Sequence, residues 1–169
     1  MSAPNQLKLL IETALASDKT LTCAESCTGG LLAAALTERP GSSAAFEYGF
    51  VTYSNLAKQQ LLGVQPTTLS QFGAVSERVV REMAIGAIKA SGADLSVAIS
   101  GIAGPGGSDH KPEGRVCFAT ASTLHDSRLQ VFCETVEFGA LGRENVRLSA
   151  RDHAIQLLLN ALKPGKSLR

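Results

Sequence analysis

The chain has no tryptophan, and only two tyrosines and six phenylalanines among 169 residues. So thin an aromatic supply excludes the base-stacking platforms used by single-strand nucleic-acid binders. Excess charge is missing too: 16 Lys and Arg stand against 15 Asp and Glu, a net of +1. That balance gives no global field to draw nucleic acid or an anionic membrane as a partner, so any anion site has to be local. No apolar run approaches the roughly 18–20 residues of a membrane span. The start, Met1 to Asn5, lacks the basic and apolar regions of a signal peptide, and the expectation is a cytoplasmic protein. Cys23, Cys27, Cys117 and Cys133 are separated by 3, 89 and 15 residues, which fits neither a paired zinc motif nor a small disulfide framework. Reduced, mostly buried thiols are expected. His, Asp and Glu show no metal-ligand spacing either, so no metal is expected.

What remains is an ordinary globular composition, 44% hydrophobic and 18% charged, with length for one domain that buries about 70% of its unfolded surface. Helical and strand patterns alternate. Leu7, Leu10, Ile11, Ala14 and Leu15 mark a helix face over 5–16, and residues 20–24 suit a buried strand. Residues 25–30 open an Ala/Leu-rich helix that runs to about Thr37 and stops before Pro40-Gly41. A strand follows over 46–53, then a short helix capped by Ser54 and ended by Gly63, and a helical turn or two over 67–72. Ser76 is a good cap for a long helix to about Ser91. Strands follow over 94–100, 114–122 and 129–138, the last two joined by a turn near His125-Asp126 and therefore antiparallel. A helix over about 141–162 and a basic tail, 163–169, close the chain. The expected fold is α/β: a single three-layer α/β/α domain with a mixed sheet, residues 1–169 with a core of about 5–162.

In such sheets ligands gather at the carboxyl ends of strands, where turns lead into helix N-termini that favour anions. Two turns have this form. Ala24-Glu25-Ser26-Cys27-Thr28-Gly29-Gly30 is one; the other runs from Ser100 through Gly101, Gly104 and Gly106 to Gly107 and can shape an anion-binding concavity. Neither is a Walker or dinucleotide motif. Ser26 has the placement of a nucleophile but also of an ordinary N-cap. The three histidines offer no triad, whereas Lys58, five residues beyond Tyr53, becomes a base if desolvation lowers its pKa. Cys27 is a rival nucleophile, since a helix N-terminus lowers a thiol pKa, and with Cys23 it forms a candidate redox pair. Arg143, Arg147 and Arg151 recur at every fourth residue and place three guanidiniums, good phosphate partners, on one helix face.

The segments Ala24–Gly30, Gly49–Asn55 with Ala57-Lys58, Gly73–Glu77, Ser100–Gly107 and Pro112–Val116 together closely resemble the CinA C-terminal domain family, the nicotinamide-nucleotide amidases. They occur in the family's order and span about 5–160, with the look of a stand-alone member. The resemblance implies hydrolysis of the carboxamide of nicotinamide mononucleotide to nicotinate mononucleotide and ammonia, in pyridine-nucleotide recycling, by a serine–lysine mechanism with no cofactor or metal. It also implies a homodimer or higher homo-oligomer. Carried onto this chain, Ser26 is the nucleophile, Lys58 the base and Tyr53 a proton relay or substrate-positioning group. Backbone donors at Cys27 and Thr28, in the turn closed by Gly29 and Gly30, would hold the oxyanion. The loop Ser100–Gly107 and Arg143 or Arg147 would hold the phosphate, although the lead Phe138–Arg143 into the last helix is spaced differently from the family pattern. The competing readings are a catalytically silent nucleotide-binding module and thiol chemistry at Cys27.

Overall fold

The computed structural model describes residues 3–123 and 128–163. In chain order their elements are α1 (Ala3–Ala16), β1 (Leu21–Glu25), α2 (Leu31–Thr37), β2 (Phe46–Val51), α3 (Asn55–Leu62), α4 (Pro66–Phe72), α5 (Glu77–Ser91), β3 (Leu95–Gly101), β4 (Arg115–Ser122), β5 (Gln130–Glu137) and α6 (Arg143–Leu162). The sheet order is β2-β1-β3-β4-β5. Strand β1 is parallel to β2 and β3, while β4 is antiparallel to β3 and β5, so the expected mixed sheet is found.

Strand alternation builds a core on each face. Leu95, Val97 and Ile99 of β3 pack with Leu10 of α1, Leu32 of α2 and Leu158 of α6, whereas Ala98 packs with Val80, Met83 and Ala84 of α5. The second face is small and partly polar. Two of its buried hydroxyls are satisfied by carbonyls: Ser96 donates to Ala84 O and Ser100 to Ala74 O, both at 2.8 Å, each worth about 1 kcal/mol net. Helix α5 then presses on α3 at Gly86, where any Cβ would run into the Leu62 carbonyl.

Element boundaries follow from backbone conformation. Helix α2 begins at Leu31 and not within 25–30, because Gly29 and Gly30 lie at φ +59° and +101°, outside the right-handed helical region. Gly142, at φ +81°, likewise delays α6 to Arg143. Ser54 and Ser76 cap α3 and α5, accepting from Ala57 N–H at 3.0 Å and Val79 N–H at 3.3 Å. The expected turn at His125-Asp126 and the tail beyond Lys163 lie outside the described residues. The parallel strands all point their carboxyl ends the same way, which delivers Ser26, the Thr52-Tyr53 segment and Gly101 to one rim of the sheet.

Candidate active site

The turn after β1 is held from within. Ser26 donates its N–H to Ile99 O at 2.9 Å and accepts Gly29 N–H at 3.0 Å, which closes a tight turn. Ser26 does not cap α2. The fully buried Glu25 does that work, its carboxylate accepting from the N–H groups of Gly30, Leu32 and Ala33 at 3.0, 3.1 and 2.8 Å. The start of α2 is therefore not open to an external anion, contrary to the sequence expectation, because a residue one position before the serine has taken its donors. The N–H groups of Cys27 and Thr28 have no oxygen acceptor among the described residues.

Lys58 approaches Ser26 from α3. Its chain is 1% exposed, and Nζ lies 3.1 Å from Ser26 Oγ, 2.8 Å from Thr52 O and 3.4 Å from Tyr53 O. No carboxylate pairs with it among the described residues. Desolvation accordingly pulls its pKa below the ordinary lysine value, with Cys27 a smaller opposing influence. As an ammonium, Lys58 would donate to all three oxygens. As an amine, it can give two hydrogens to the carbonyls and turn its lone pair to the Ser26 hydroxyl, the arrangement a general base needs.

Ser26, Cys27, Tyr53, Asn55, Lys58, Ser100, Gly101 and Arg143 line a cavity of about 200 Å3, with Ala74, Val75 and Ala103 as its apolar wall. A broader surface groove of about 500 Å3 lies beyond Val75; there the Thr135 hydroxyl donates to the Glu77 carboxylate at 2.8 Å, and its lysine, Lys111, donates to the Phe72 and Val75 carbonyls instead of reaching a hydroxyl. The phenol of Tyr53 stands at the rim, where Arg143 Nη2 donates to it at 2.9 Å and Arg143 Nη1 donates to Gly104 O at 3.0 Å. Only the Tyr53 backbone carbonyl reaches Lys58. A relay through the phenol has no contact to travel along.

The second glycine-rich loop also differs from expectation. The anion it holds is the protein's own: the Glu113 carboxylate accepts from Gly106 N–H at 2.6 Å and Gly142 N–H at 3.0 Å. A Cβ at Gly104 would collide with that carboxyl group. The row of guanidiniums divides as well. Arg147 donates to Cys27 O at 3.1 Å and Thr28 O at 2.9 Å, and Arg151 pairs with Asp152 at 2.7 Å, so the three arginines do not form one phosphate face. All four cysteines are free. Burial pushes the Cys27 thiol up to about 11 and Cys23 well above its ordinary value, so desolvation overrides the lowering expected at a helix start, and neither is a ready thiolate. Asn55, Glu25 and Glu113 were not assigned roles from sequence. Asn55 follows the capping Ser54, and that position just inside a strand-to-helix junction was a readable signal.

Fold and geometry define an α/β protein with a buried serine–lysine pair at the carboxyl edge of its parallel strands. Residues 5–162 match the CinA C-terminal domain, and the chain belongs to that family. It is 55% identical over 140 residues, 82% of each chain, to nicotinamide-nucleotide amidohydrolase PncC of Enterobacter agglomerans, and 54% identical over the same coverage to PncC of Escherichia coli. The solved competence/damage inducible protein CihA of Agrobacterium tumefaciens superposes with a TM-score of 0.88 at 42% identity, over 96% of this chain and 99% of that one.

Proposed function

We propose that the chain hydrolyses the carboxamide of nicotinamide mononucleotide to nicotinate mononucleotide and ammonia, with Ser26 as nucleophile and Lys58 as base. The observation that carries this reading is the 3.1 Å approach of a buried, carboxylate-free Lys58 Nζ to Ser26 Oγ; the amidohydrolase names of the two PncC relatives support the substrate class. Ser26 Oγ forms a bond to the amide carbon as its proton passes to Lys58 and the carbonyl electron pair moves to oxygen. The C–N bond then breaks, Lys58 returns the proton to the departing nitrogen, and ammonia leaves an acyl-serine. Water, deprotonated by Lys58, attacks the ester, and Ser26 regains its proton as the acid is released.

Cys27 and Thr28 N–H would hold the oxyanion in both halves, one such donor being worth about 3–4 kcal/mol. The pyridinium charge activates the carbonyl and disfavours a protonated Lys58 beside it. Asn55, which lines the cavity, would meet the carboxamide, and Arg143, at the rim, is the better placed of the two candidate arginines for the 5′-phosphate. A homodimer or higher homo-oligomer and a cytoplasmic setting belong to the same proposal, the former checked by the mass in solution. Ammonia release from nicotinamide mononucleotide tests the reading: wild type and Cys27→Ala should turn over, while Ser26→Ala and Lys58→Ala should not. A wild-type protein that binds the nucleotide without releasing ammonia would instead be a silent binding module.

A further inference from the structure

Among the hydrogen bonds around Ser26, those of Arg147 have no place in the chemistry above. Its guanidinium comes from the second turn of α6 and spends one edge, Nε and Nη2, on two consecutive carbonyls, Cys27 O and Thr28 O. It makes no ion pair among the described residues. Gly29 lies at φ +59°, which favours glycine, and Arg147 Nη2 passes close by: a Cβ at Gly29 would make an ordinary 3.5 Å contact with it. A trans peptide points its N–H opposite to its C=O. Gripping Cys27 O therefore fixes the direction of Thr28 N–H, and gripping Thr28 O fixes that of Gly29 N–H, which closes the turn onto Ser26 O. Across the same turn Glu25 takes the N–H groups of Gly30, Leu32 and Ala33. One charged side chain thus binds the turn's acceptors and another its later donors, and the N–H groups of Cys27 and Thr28 keep no oxygen acceptor among the described residues.

We propose that Arg147 is a positioning residue for the oxyanion donors: it aims the Thr28 N–H by anchoring the carbonyls behind it, and it is not a ligand of the substrate phosphate. The proposal rests on the amidase reading. A planar fork holds two neighbouring carbonyls through two nitrogens fixed in one plane and so sets both peptide planes together, whereas an ammonium would hold them from one freely rotating nitrogen, as Lys58 holds Thr52 O and Tyr53 O.

The test is steady-state hydrolysis of nicotinamide mononucleotide and of its dephosphorylated riboside by wild type, Ser26→Ala, Arg147→Lys and Arg147→Met, with thermal melting of each. Misaligning one oxyanion donor should lower kcat by about 10²–10³-fold, with KM changed less than about threefold for either substrate, and Arg147→Lys should recover little of the loss while remaining folded. If Arg147→Met does not fold, Arg147→Lys alone carries the comparison. A rise in KM confined to the nucleotide, with kcat kept, would make Arg147 a phosphate ligand and overturn the proposal; unchanged kinetics in Arg147→Lys would overturn it as well. A wild type that fails to release ammonia defeats the amidase reading itself, and this role with it, whereas an active wild type with indifferent Arg147 variants defeats the role alone.

Discussion

The two glycine-rich turns at the carboxyl ends of β1 and β3 look alike in sequence and are built to different ends. Each was suited to an external anion, and each carries an internal one. After β1, Glu25 is fully buried and takes three N–H groups at the start of the following helix, while the N–H groups of Cys27 and Thr28 have no oxygen acceptor among the described residues. After β3, Glu113 takes Gly106 N–H and Gly142 N–H. That joins the loop to the start of α6 and sets Arg143 between Gly104 O and the Tyr53 phenol. The first carboxylate braces the turn that carries Ser26 and the second braces a rim. A glycine-rich loop is thus an invitation to an anion, and whether the guest is substrate or side chain depends on which acidic residue lies within reach.

The sharpest test of the contrast is the chemistry of the first turn. Ser26→Ala should lower turnover by roughly 10³-fold or more and Lys58→Met by about 10²–10⁴-fold, measured as ammonia release, with folding retained. Since only the unprotonated amine accepts the Ser26 proton, activity should rise with pH through an ionisation below the ordinary lysine value; a fall over that window would remove Lys58 as base. Stability should move in the same direction. Folded Lys58 holds its proton less tightly than unfolded Lys58, so between the two pKa values unfolding takes up a proton and stability increases with pH. Lys58→Met should flatten that slope in denaturant titrations.

Next in size is the internal carboxylate of the first turn. Glu25→Gln leaves at least one buried N–H without an acceptor and should cost about 2 kcal/mol, a fall in Tm of about 4–8 °C. Glu113→Gln, at the more exposed loop, should cost under about 1 kcal/mol and show itself chiefly as a higher KM, because Arg143 loses its support. Equal losses of stability in the two variants would erase the distinction drawn between the turns. The smallest effect belongs to Cys27→Ala: with its thiol held protonated by burial, turnover should stay within about threefold of wild type, and abolition of activity would reassign the nucleophile.

Much of the fold was legible because local and global signals agree. Ser54, Gly63 and Ser76 punctuate helices as their chemistry dictates, and the hairpin spacing of β4 and β5 dictates antiparallel pairing. The pairing of β2 beside β1 was not legible, since parallel neighbours are chosen by crossovers that leave no local mark. At the site, the Ser26 and Lys58 pairing was what the family resemblance implied, and the two groups lie 3.1 Å apart, but the partners of Arg147, Glu25 and Glu113 were not anticipated. Arg147 meets its carbonyls across 120 and 119 residues, and no periodicity encodes such a contact. Tyr53 illustrates the limit differently: its backbone serves Lys58 while its side chain turns away to Arg143, and sequence does not say which half of a residue will be used.

The cavity behind the Tyr53–Arg143 contact encloses about 200 Å3, less than the roughly 300–1,000 Å3 of sites that engulf a drug-sized ligand. Under the proposed reaction it would act as a gauge for the reacting end of a molecule, with a flat ring bearing a carboxamide measured inside and the bulk attached to the ring sorted at the exposed lip. Catalysis and discrimination would then reside in separable pieces of the chain, and the choice of substrate could drift through changes at the lip while the serine and lysine stay as they are.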